Sequence, residues 1–138
     1  MTDGDLAFAV LDTSALIAFV YGEAGAQRVE PAIRRGALTS AVSWAETLSD
    51  MAERGEATEV AVPHVTRIIA KVGTLTIVPF DEVQAEQAAR LRMPTKSLGL
   101  SLADRACLAL GRLRRLPVLT TDRAWRSLHL SIKIDVIR

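Results

Sequence analysis

The sequence predicts an α/β fold, a three-layer α/β/α sandwich with a mainly parallel central sheet. Short apolar runs alternate with longer amphipathic segments along the chain, and no repeat or linker rich in Pro, Gly or Ser divides it. Strands that alternate with helices are joined by crossover connections, which give parallel pairing. A length of 138 residues is typical of one domain, so we expect a single domain over residues 1–138.

Five runs predict the strands. The first, residues 6–12, is continuously apolar and bounded by acids, which is typical of a strand buried on both faces of a parallel sheet. The last, residues 130–137, alternates apolar and polar residues, which favours a position at or near an edge. Three more runs resemble the first and predict strands over residues 37–42, 74–80 and 116–121.

The segments between these runs have apolar residues at helical spacing. Gly36 and Gly55 mark the ends of two predicted helices. Val60 falls on the apolar face of one helix, which has Pro63 in its first turns, and Leu102 falls on the apolar face of another. The predicted helices cover residues 14–20, 24–35, 43–54, 57–72, 82–92 and 101–115, with a short one near 122–128.

Composition narrows the possible functions. Hydrophobic residues make up 49% of the chain and charged residues 24%, as in ordinary globular proteins. The single cysteine, Cys107, allows neither an intramolecular disulfide nor a thiolate zinc site. Acids rather than basic residues precede the first apolar stretch, and no segment reaches the roughly 20 apolar residues of a membrane span. We therefore expect a cytoplasmic protein without a membrane segment.

Charge is unevenly distributed along the chain. Residues 1–69 carry a net charge of −5 and residues 70–138 carry +6. The basic half could present a cationic face to phosphates, although solvated helix faces have a similar composition. Two of its arginines, Arg105 and Arg123, directly follow acids of interest and are candidate substrate-binding residues.

Four acids stand at junctions between predicted elements. Asp12 and Asp122 follow the first and fourth strands, and Glu46 and Asp104 lie in the first turns of two helices. Ligands of open parallel sheets bind beyond the carboxyl ends of the strands, so the four carboxylates could meet in one cleft. Each acid could instead cap a helix, and Ser43 three residues before Glu46 is spaced as in a capping box.

Carboxylates that lie a few ångströms apart repel each other, and a divalent cation removes that repulsion. Oxygen ligands suit Mg²⁺ and Mn²⁺. A pair of such ions can activate water and stabilise the leaving oxygen when a phosphodiester is cleaved. Hydrolysis of a nucleic acid is therefore a coherent prediction. His64 and His129 stand alone in the sequence, and we expect them at surface or packing positions.

Four segments resemble the PIN-domain ribonucleases and, within them, the VapC-type toxins of bacterial toxin–antitoxin pairs. They are VLDTSALIAF, SAVSWAETL, GLSLADRACLALG and LPVLTTDRAW, which together extend over most of the chain. The resemblance implies an endoribonuclease that depends on Mg²⁺ or Mn²⁺, with one or two ions. It also implies a cognate antitoxin whose tail occupies the active-site groove.

Carried over residue by residue, the resemblance implies that Asp12, Glu46, Asp104 and Asp122 are the catalytic, metal-binding acids. Thr120 resembles the hydroxyl that supports the site, and Ser14 could do the same or cap the first helix.

Two further expectations concern partners. The substrate would be RNA, and we expect a homodimer. The apolar residues of the first helix exceed what one core-facing stripe requires, so a partner or second copy could cover some of them: Leu16, Ile17, Phe19 and Val20.

Two alternatives differ in class from a nuclease. One is a PIN-like module that binds RNA or an antitoxin without cutting. The other is a phosphoacceptor receiver domain, which requires two adjacent acids after its first strand and a Lys after its fifth. This chain has Asp12 alone at the first position, Asp81 after the third strand, and no Lys beyond residue 133, so the receiver is the weaker alternative.

Overall fold

A five-stranded parallel sheet organises the fold. The structure, a computed structural model, describes residues 7–138, so the predicted strand start at Leu6 lies outside the described residues. The strands are β1 (Ala9–Leu11), β2 (Ala37–Ser40), β3 (Leu75–Val78), β4 (Val118–Thr120) and β5 (Ile134–Val136). They lie in the order β3-β2-β1-β4-β5, and each neighbouring pair is parallel.

This strand order distinguishes the chain from a receiver domain. Receivers have the order 2-1-3-4-5, whereas here β4 lies beside β1 and β3 lies at an edge. The chain therefore winds outward from β1 in one direction through β2 and β3. It then crosses back to β1 and winds outward through β4 and β5. The receiver alternative does not fit this order.

Within the described residues, six α-helices connect the strands, as the periodicity predicts. Predicted and observed ends differ by a few residues, and the short helix predicted near 122–128 is a 3₁₀ turn, Arg123–Ser127. The α-helices are α1 (Thr13–Tyr21), α2 (Ala26–Arg35), α3 (Ala41–Glu53), α4 (Thr58–Ala70), α5 (Glu82–Arg90) and α6 (Leu102–Arg114).

The predicted three-layer sandwich is confirmed. Adjacent residues of a strand face opposite sides, so Ala9 and Leu11 pack into one core and Val10 into the other. Helices α1 to α4 contribute to the first core, and α5 and α6 to the second. Cys107 is fully buried in the second core. Within residues 7–138, no helix is both long and apolar enough to cross a bilayer.

The two edge strands are β3 and β5. The alternation of residues 130–137 correctly predicts an edge position for β5. The prediction that β3 is buried on both faces is wrong, because Thr76 and Ile77 are exposed, with Ile77 at 40%. An apolar run of this length has the same sequence signal at an edge as at the centre, and only strand order separates the two cases.

Two predictions about helix faces are also wrong. Val60 is 59% exposed and Leu102 is 50% exposed, because each lies in the first turn of its helix, beyond the part that packs on the core. Of the four surplus apolar residues of α1, three are covered within the chain and Phe19 is half-buried. Leu16, Ile17 and Val20 are buried within the chain, since α1 packs against the sheet, α2 and α3.

His64 is half-buried and is not isolated. Its Nδ1 lies 2.7 Å from Oε1 of Glu56, and the hydroxyl of Tyr21 donates to the other oxygen of the same carboxylate. The rings of Tyr21 and His64 meet edge to face at 6.1 Å, and the Arg54 guanidinium lies 4.4 Å above the Tyr21 ring. This group joins the end of α1 to α4 through the loop that follows α3.

Through these hydrogen bonds, Glu56 makes the stability of the fold sensitive to acid. The bond from Tyr21, more than the contact with His64, lowers the pKa of Glu56 below its usual 4.5. A carboxyl group with a lowered pKa stabilises the fold above its usual pKa, and that stability is lost as pH falls through the lowered value. Glu56→Gln should therefore reduce the free energy of unfolding at pH 7 and show a smaller further loss in acid.

Urea unfolding at pH 7 and pH 3 measures this difference. Glu53→Gln is the matched control, because Glu53 is exposed and has no ion pair or hydrogen-bond partner for its side chain among residues 7–138. Equal acid sensitivity of Glu56→Gln and the unsubstituted protein would contradict this role of Glu56.

Candidate active site

The strand order creates a crevice between β1 and β4. After β1 the chain continues to β2 on one side, and after β4 it continues to β5 on the other side. Open parallel sheets bind ligands at such a switch point. Asp12 directly follows β1, Thr120 is the last residue of β4, and Asp122 comes two residues later. Two of the four acids are therefore placed by adjacent central strands.

Asp12 is the buried centre of this crevice. Its side chain caps α1: Oδ1 accepts from the backbone N of Ala15 at 2.8 Å and from Oγ of Ser14 at 2.7 Å. Its other oxygen, Oδ2, accepts from Oγ1 of Thr120 at 2.5 Å. Only 5% of the residue is exposed. Both carboxylate oxygens are thus held by neutral donors.

The two hydroxyl groups that contact Asp12 are themselves fixed by β4 and the loop after it. Oγ of Ser14 accepts from the backbone N of Thr121 at 2.9 Å. Oγ1 of Thr120 accepts from the backbone N of Asp122 at 3.1 Å. The hydroxyls lie 3.4 Å apart. This network fixes the direction of the Asp12 carboxylate and ties it to the segment that carries Asp122.

Burial strongly disfavours the charged form of Asp12. Desolvation raises its pKa from the usual 3.8 to about 6, and the bonds from Thr120, Ser14 and the Ala15 N–H only partly oppose that rise. The charge of Asp104 raises the pKa further, so the two carboxylates lie close enough to repel. Burial raises the pKa of the Cys107 thiol, and the charges of Asp12 and Asp104 add to that rise.

Asp104 lies at the start of α6 and forms a capping box with Ser101. The backbone N of Ser101 donates to Oδ2 of Asp104 at 3.0 Å, and the backbone N of Asp104 donates to Oγ of Ser101 at 3.1 Å. Asp122 similarly caps the 3₁₀ turn, where Oδ1 accepts from the N of Ala124 at 2.9 Å. Capping therefore holds both acids by one oxygen each, and Asp122 is exposed to solvent.

Glu46 is placed differently from the sequence prediction. Helix α3 begins at Ala41 with Ser40 as its cap, whose Oγ accepts from the N of Val42 at 3.2 Å. Glu46 is therefore in the second turn, and Ser43 and Glu46 do not form a capping box. Glu46 is exposed. Its helix is joined to the start of α1 by Thr13, whose Oγ1 donates to the carbonyl of Ser43 at 3.2 Å.

Thr13 is a positioning residue that the sequence does not reveal. Its hydroxyl bonds to a residue 30 positions away. No local spacing signals a contact of that range.

The donor chemistry of the crevice suits a hard divalent ion. Asp12, Glu46, Asp104 and Asp122 offer carboxylate oxygens, and neighbouring carboxylates without a cationic partner favour bound Mg²⁺ or Mn²⁺. Within the described residues, no three His, Cys, Asp or Glu side chains come close enough to hold a metal ion. The structure thus brings Asp12 and Asp104 into each other's electrostatic range but does not assemble all four acids.

The two candidate substrate-binding arginines have different surroundings. Arg105 donates from its guanidinium to the carbonyl of Ala88 at 3.0 Å, which fastens α6 to α5. Arg123 is exposed, and its Nε donates to the carbonyl of Arg138 at 3.2 Å. Only Arg123 is thus free to turn toward a substrate without breaking a contact between helices.

The fold and the crevice define an α/β protein with two acids, Asp12 and Asp122, at a switch point of a parallel sheet. The sequence matches the PIN domain family over residues 9–129, and the chain belongs to that family. No curated protein matches the chain significantly.

Solved structures with a similar fold include several toxin–antitoxin assemblies. A toxin–antitoxin complex from Klebsiella pneumoniae is 22% identical with a TM-score of 0.63, and the match covers 91% of this chain and 99% of that chain. VapBC2 from Rickettsia felis, bound to a promoter DNA fragment, is 12% identical with a TM-score of 0.67, over 93% and 97%. DNA-bound VapBC from Salmonella typhimurium is 18% identical with a TM-score of 0.67, over 93% and 96%.

The buried carboxyl group predicts how stability depends on pH without metal. Because the folded-state pKa of Asp12 is raised, the free energy of unfolding should fall as pH rises from about 4 to about 6. At about 1.4 kcal/mol per pH unit, Asp12 costs up to about 3 kcal/mol at pH 7. Asp12→Asn keeps the helix cap and should remove this loss.

Urea unfolding in chelator at pH 4 and pH 7 measures the effect. Asp81→Asn is the matched control, because Asp81 also caps a helix after a strand and accepts from the N of Gln84 at 2.9 Å, but is exposed. The same dependence on pH in Asp12→Asn and Asp81→Asn would refute the assignment of this cost to Asp12.

Proposed function

We propose that this protein is a divalent-metal-dependent endoribonuclease that acts as the toxin of a toxin–antitoxin pair. The observation that carries the proposal is the buried Asp12 carboxylate at the switch point, oriented by two hydroxyls and near the carboxylate of Asp104. Its burial is unfavourable for the folded chain alone. A bound cation would stabilise the charged carboxylate and so remove that cost, as expected of a site for hard ions.

Asp12, Glu46, Asp104 and Asp122 would hold one or two Mg²⁺ or Mn²⁺ ions. A bound ion would supply an activated water and charge stabilisation at the phosphate. Thr120 and Ser14 hold the Asp12 carboxylate in one orientation, and burial strengthens every electrostatic interaction that it makes. The exposed acids form the open side of the site, where a phosphodiester can approach. The proposed role of the carboxylates is therefore to hold the cation by their charge and to position it beside the phosphodiester.

RNA is the proposed substrate, and Arg123 is proposed to contact its backbone, because Arg123 is exposed whereas Arg105 is bonded to the carbonyl of Ala88. Phosphate contacts of this kind add affinity without base selectivity. Family membership supports the nuclease class, and the similarity of fold to toxin–antitoxin structures supports a protein antitoxin as partner. Its tail would occupy the same groove as the RNA. We further propose a cytoplasmic homodimer.

Cleavage of RNA is the direct test. The purified protein, freed of any partner, should cut single-stranded RNA in Mg²⁺ or Mn²⁺ and not in chelator. Asp12→Asn and Asp104→Asn should each reduce the rate by at least about a hundredfold, since each removes charge at the position where the cation is needed. Both variants should fold, because Asn retains the acceptor for each helix cap.

Asp81→Asn is the control for cleavage as well, because it changes an acid at a helix cap outside the crevice. It should cut at the unsubstituted rate. RNA binding without cleavage by the unsubstituted protein in either metal would instead support the non-catalytic binding module. Undiminished cutting by Asp12→Asn and Asp104→Asn would refute the mechanism.

Metal should also stabilise the folded chain. An ion that binds only the folded state at ten times its dissociation constant adds about 1.4 kcal/mol. In a domain of this size, that corresponds to a rise of roughly 4 °C in melting temperature. The rise should be absent in Asp12→Asn and present in Asp81→Asn. Thermal melts across a Mg²⁺ titration measure it, and equal shifts in both variants would place the ion elsewhere.

A further inference from the structure

A cavity lies at the opposite ends of the strands from the acids. It has a volume of about 260 Å³ and lies where the chain enters β4 and β5. Three cationic side chains line it, from the end of α6 and from the segment before β5: Arg112, Arg115 and Lys133. Ser131 adds a hydroxyl to the lining, and no acidic residue lines the cavity.

The backbone at this cavity is tightly fixed. Helix α6 ends at Arg114, and the N–H of the next residue, Arg115, donates to the carbonyl of Arg112. The N–H of Val118 donates to the carbonyl of Lys133 at 2.9 Å, which joins the two lining segments. Gly111 lets α6 lie close to β4, because a Cβ at position 111 would lie 2.5 Å from Cγ2 of Val118. The three cations therefore project from a rigid frame.

The cations have no protein counter-ion within the described part of the chain. Four other arginines form ion pairs with acids, but none of the three lining cations does. Nε of Arg112 is buried and has no hydrogen-bond acceptor. A buried guanidinium nitrogen without an acceptor costs free energy, so an acceptor supplied by a ligand would be favourable.

The helix dipole accounts for only part of this arrangement. Cations near the end of a helix offset its partial negative charge, which explains basic residues in the last turn of α6. Lys133 comes from the segment before β5, so the preference for basic residues in the last turn of a helix does not explain its presence at this cavity. Arg115 has a left-handed backbone with φ of 55°, the one non-glycine residue with positive φ within residues 7–138. Gly or Asn would adopt that conformation at lower cost.

We propose that this cavity is an anion site that binds a phosphoryl group. Guanidinium groups offer paired N–H donors that match phosphate oxygens, and the ammonium of Lys133 adds a point charge. The phosphoryl group could belong to inorganic phosphate or pyrophosphate, or to the backbone of an RNA strand. The cavity does not involve the crevice acids, so the proposal does not depend on the nuclease activity.

Titration calorimetry in chelator tests the site without cleavage. Pyrophosphate should bind the unsubstituted protein, and Arg115→Asn and Lys133→Gln should each weaken that binding by about tenfold, as expected for loss of one charge-assisted contact. Asn keeps the left-handed backbone at position 115. Arg114→Gln is the matched control, because Arg114 is adjacent and exposed but does not line the cavity.

A second arm uses a single-stranded RNA of ten nucleotides under the same conditions. If Arg115→Asn and Lys133→Gln weaken both pyrophosphate and RNA binding, the site takes backbone phosphates. If only pyrophosphate binding weakens, the ligand is a free phosphoryl compound. Either result supports the site.

No pyrophosphate binding, or equal binding by all variants, would overturn the proposal and leave the cations as partners of the helix dipole. Thermal melts of each variant separate lost binding from lost folding. Because chelator is present and cleavage is not measured, failure here is distinct from failure of the nuclease proposal.

Discussion

The constraint on which the structure depends is a carboxylate buried at the end of the central strand β1. Asp12 caps α1, receives the hydroxyls of Ser14 and Thr120, and is charged only at a cost. The bond from Thr120 crosses from β4 to the start of α1, so the same carboxylate that caps α1 also contacts the end of β4. The neighbouring charge of Asp104 adds to the cost. The charged carboxylate that the proposed cation site needs therefore lowers the free energy of unfolding when no cation is bound.

Hydrophobic periodicity was enough to predict the fold class, all five strands and the six α-helices. It cannot predict strand order, and that is why the prediction that β3 is buried on both faces is wrong. Order depends on which helix covers which face, and this is decided by packing between segments far apart in sequence. The same limit applies to α1, because three of its four surplus apolar residues are buried against the sheet, α2 and α3.

The candidate site was predictable in part, because acids that end strands of a parallel sheet share an edge. Asp12 and the hydroxyls that contact it follow from that rule and from the family resemblance. The position of Glu46 in the second turn does not, since Ser40 rather than Ser43 caps α3. The contact from Thr13 to Ser43 and the basic cavity at the opposite strand ends depend on tertiary packing and have no local sequence signal.

The central claim is that the Asp12 carboxyl group is destabilised by burial and satisfied by a cation. Carbon-13 NMR of its side-chain carboxyl during a pH titration, with and without Mg²⁺, tests that claim most directly. The account predicts a pKa of about 6 in chelator and a clearly lower value in Mg²⁺. A pKa near 3.8 in chelator, or one that Mg²⁺ leaves unchanged, would contradict it.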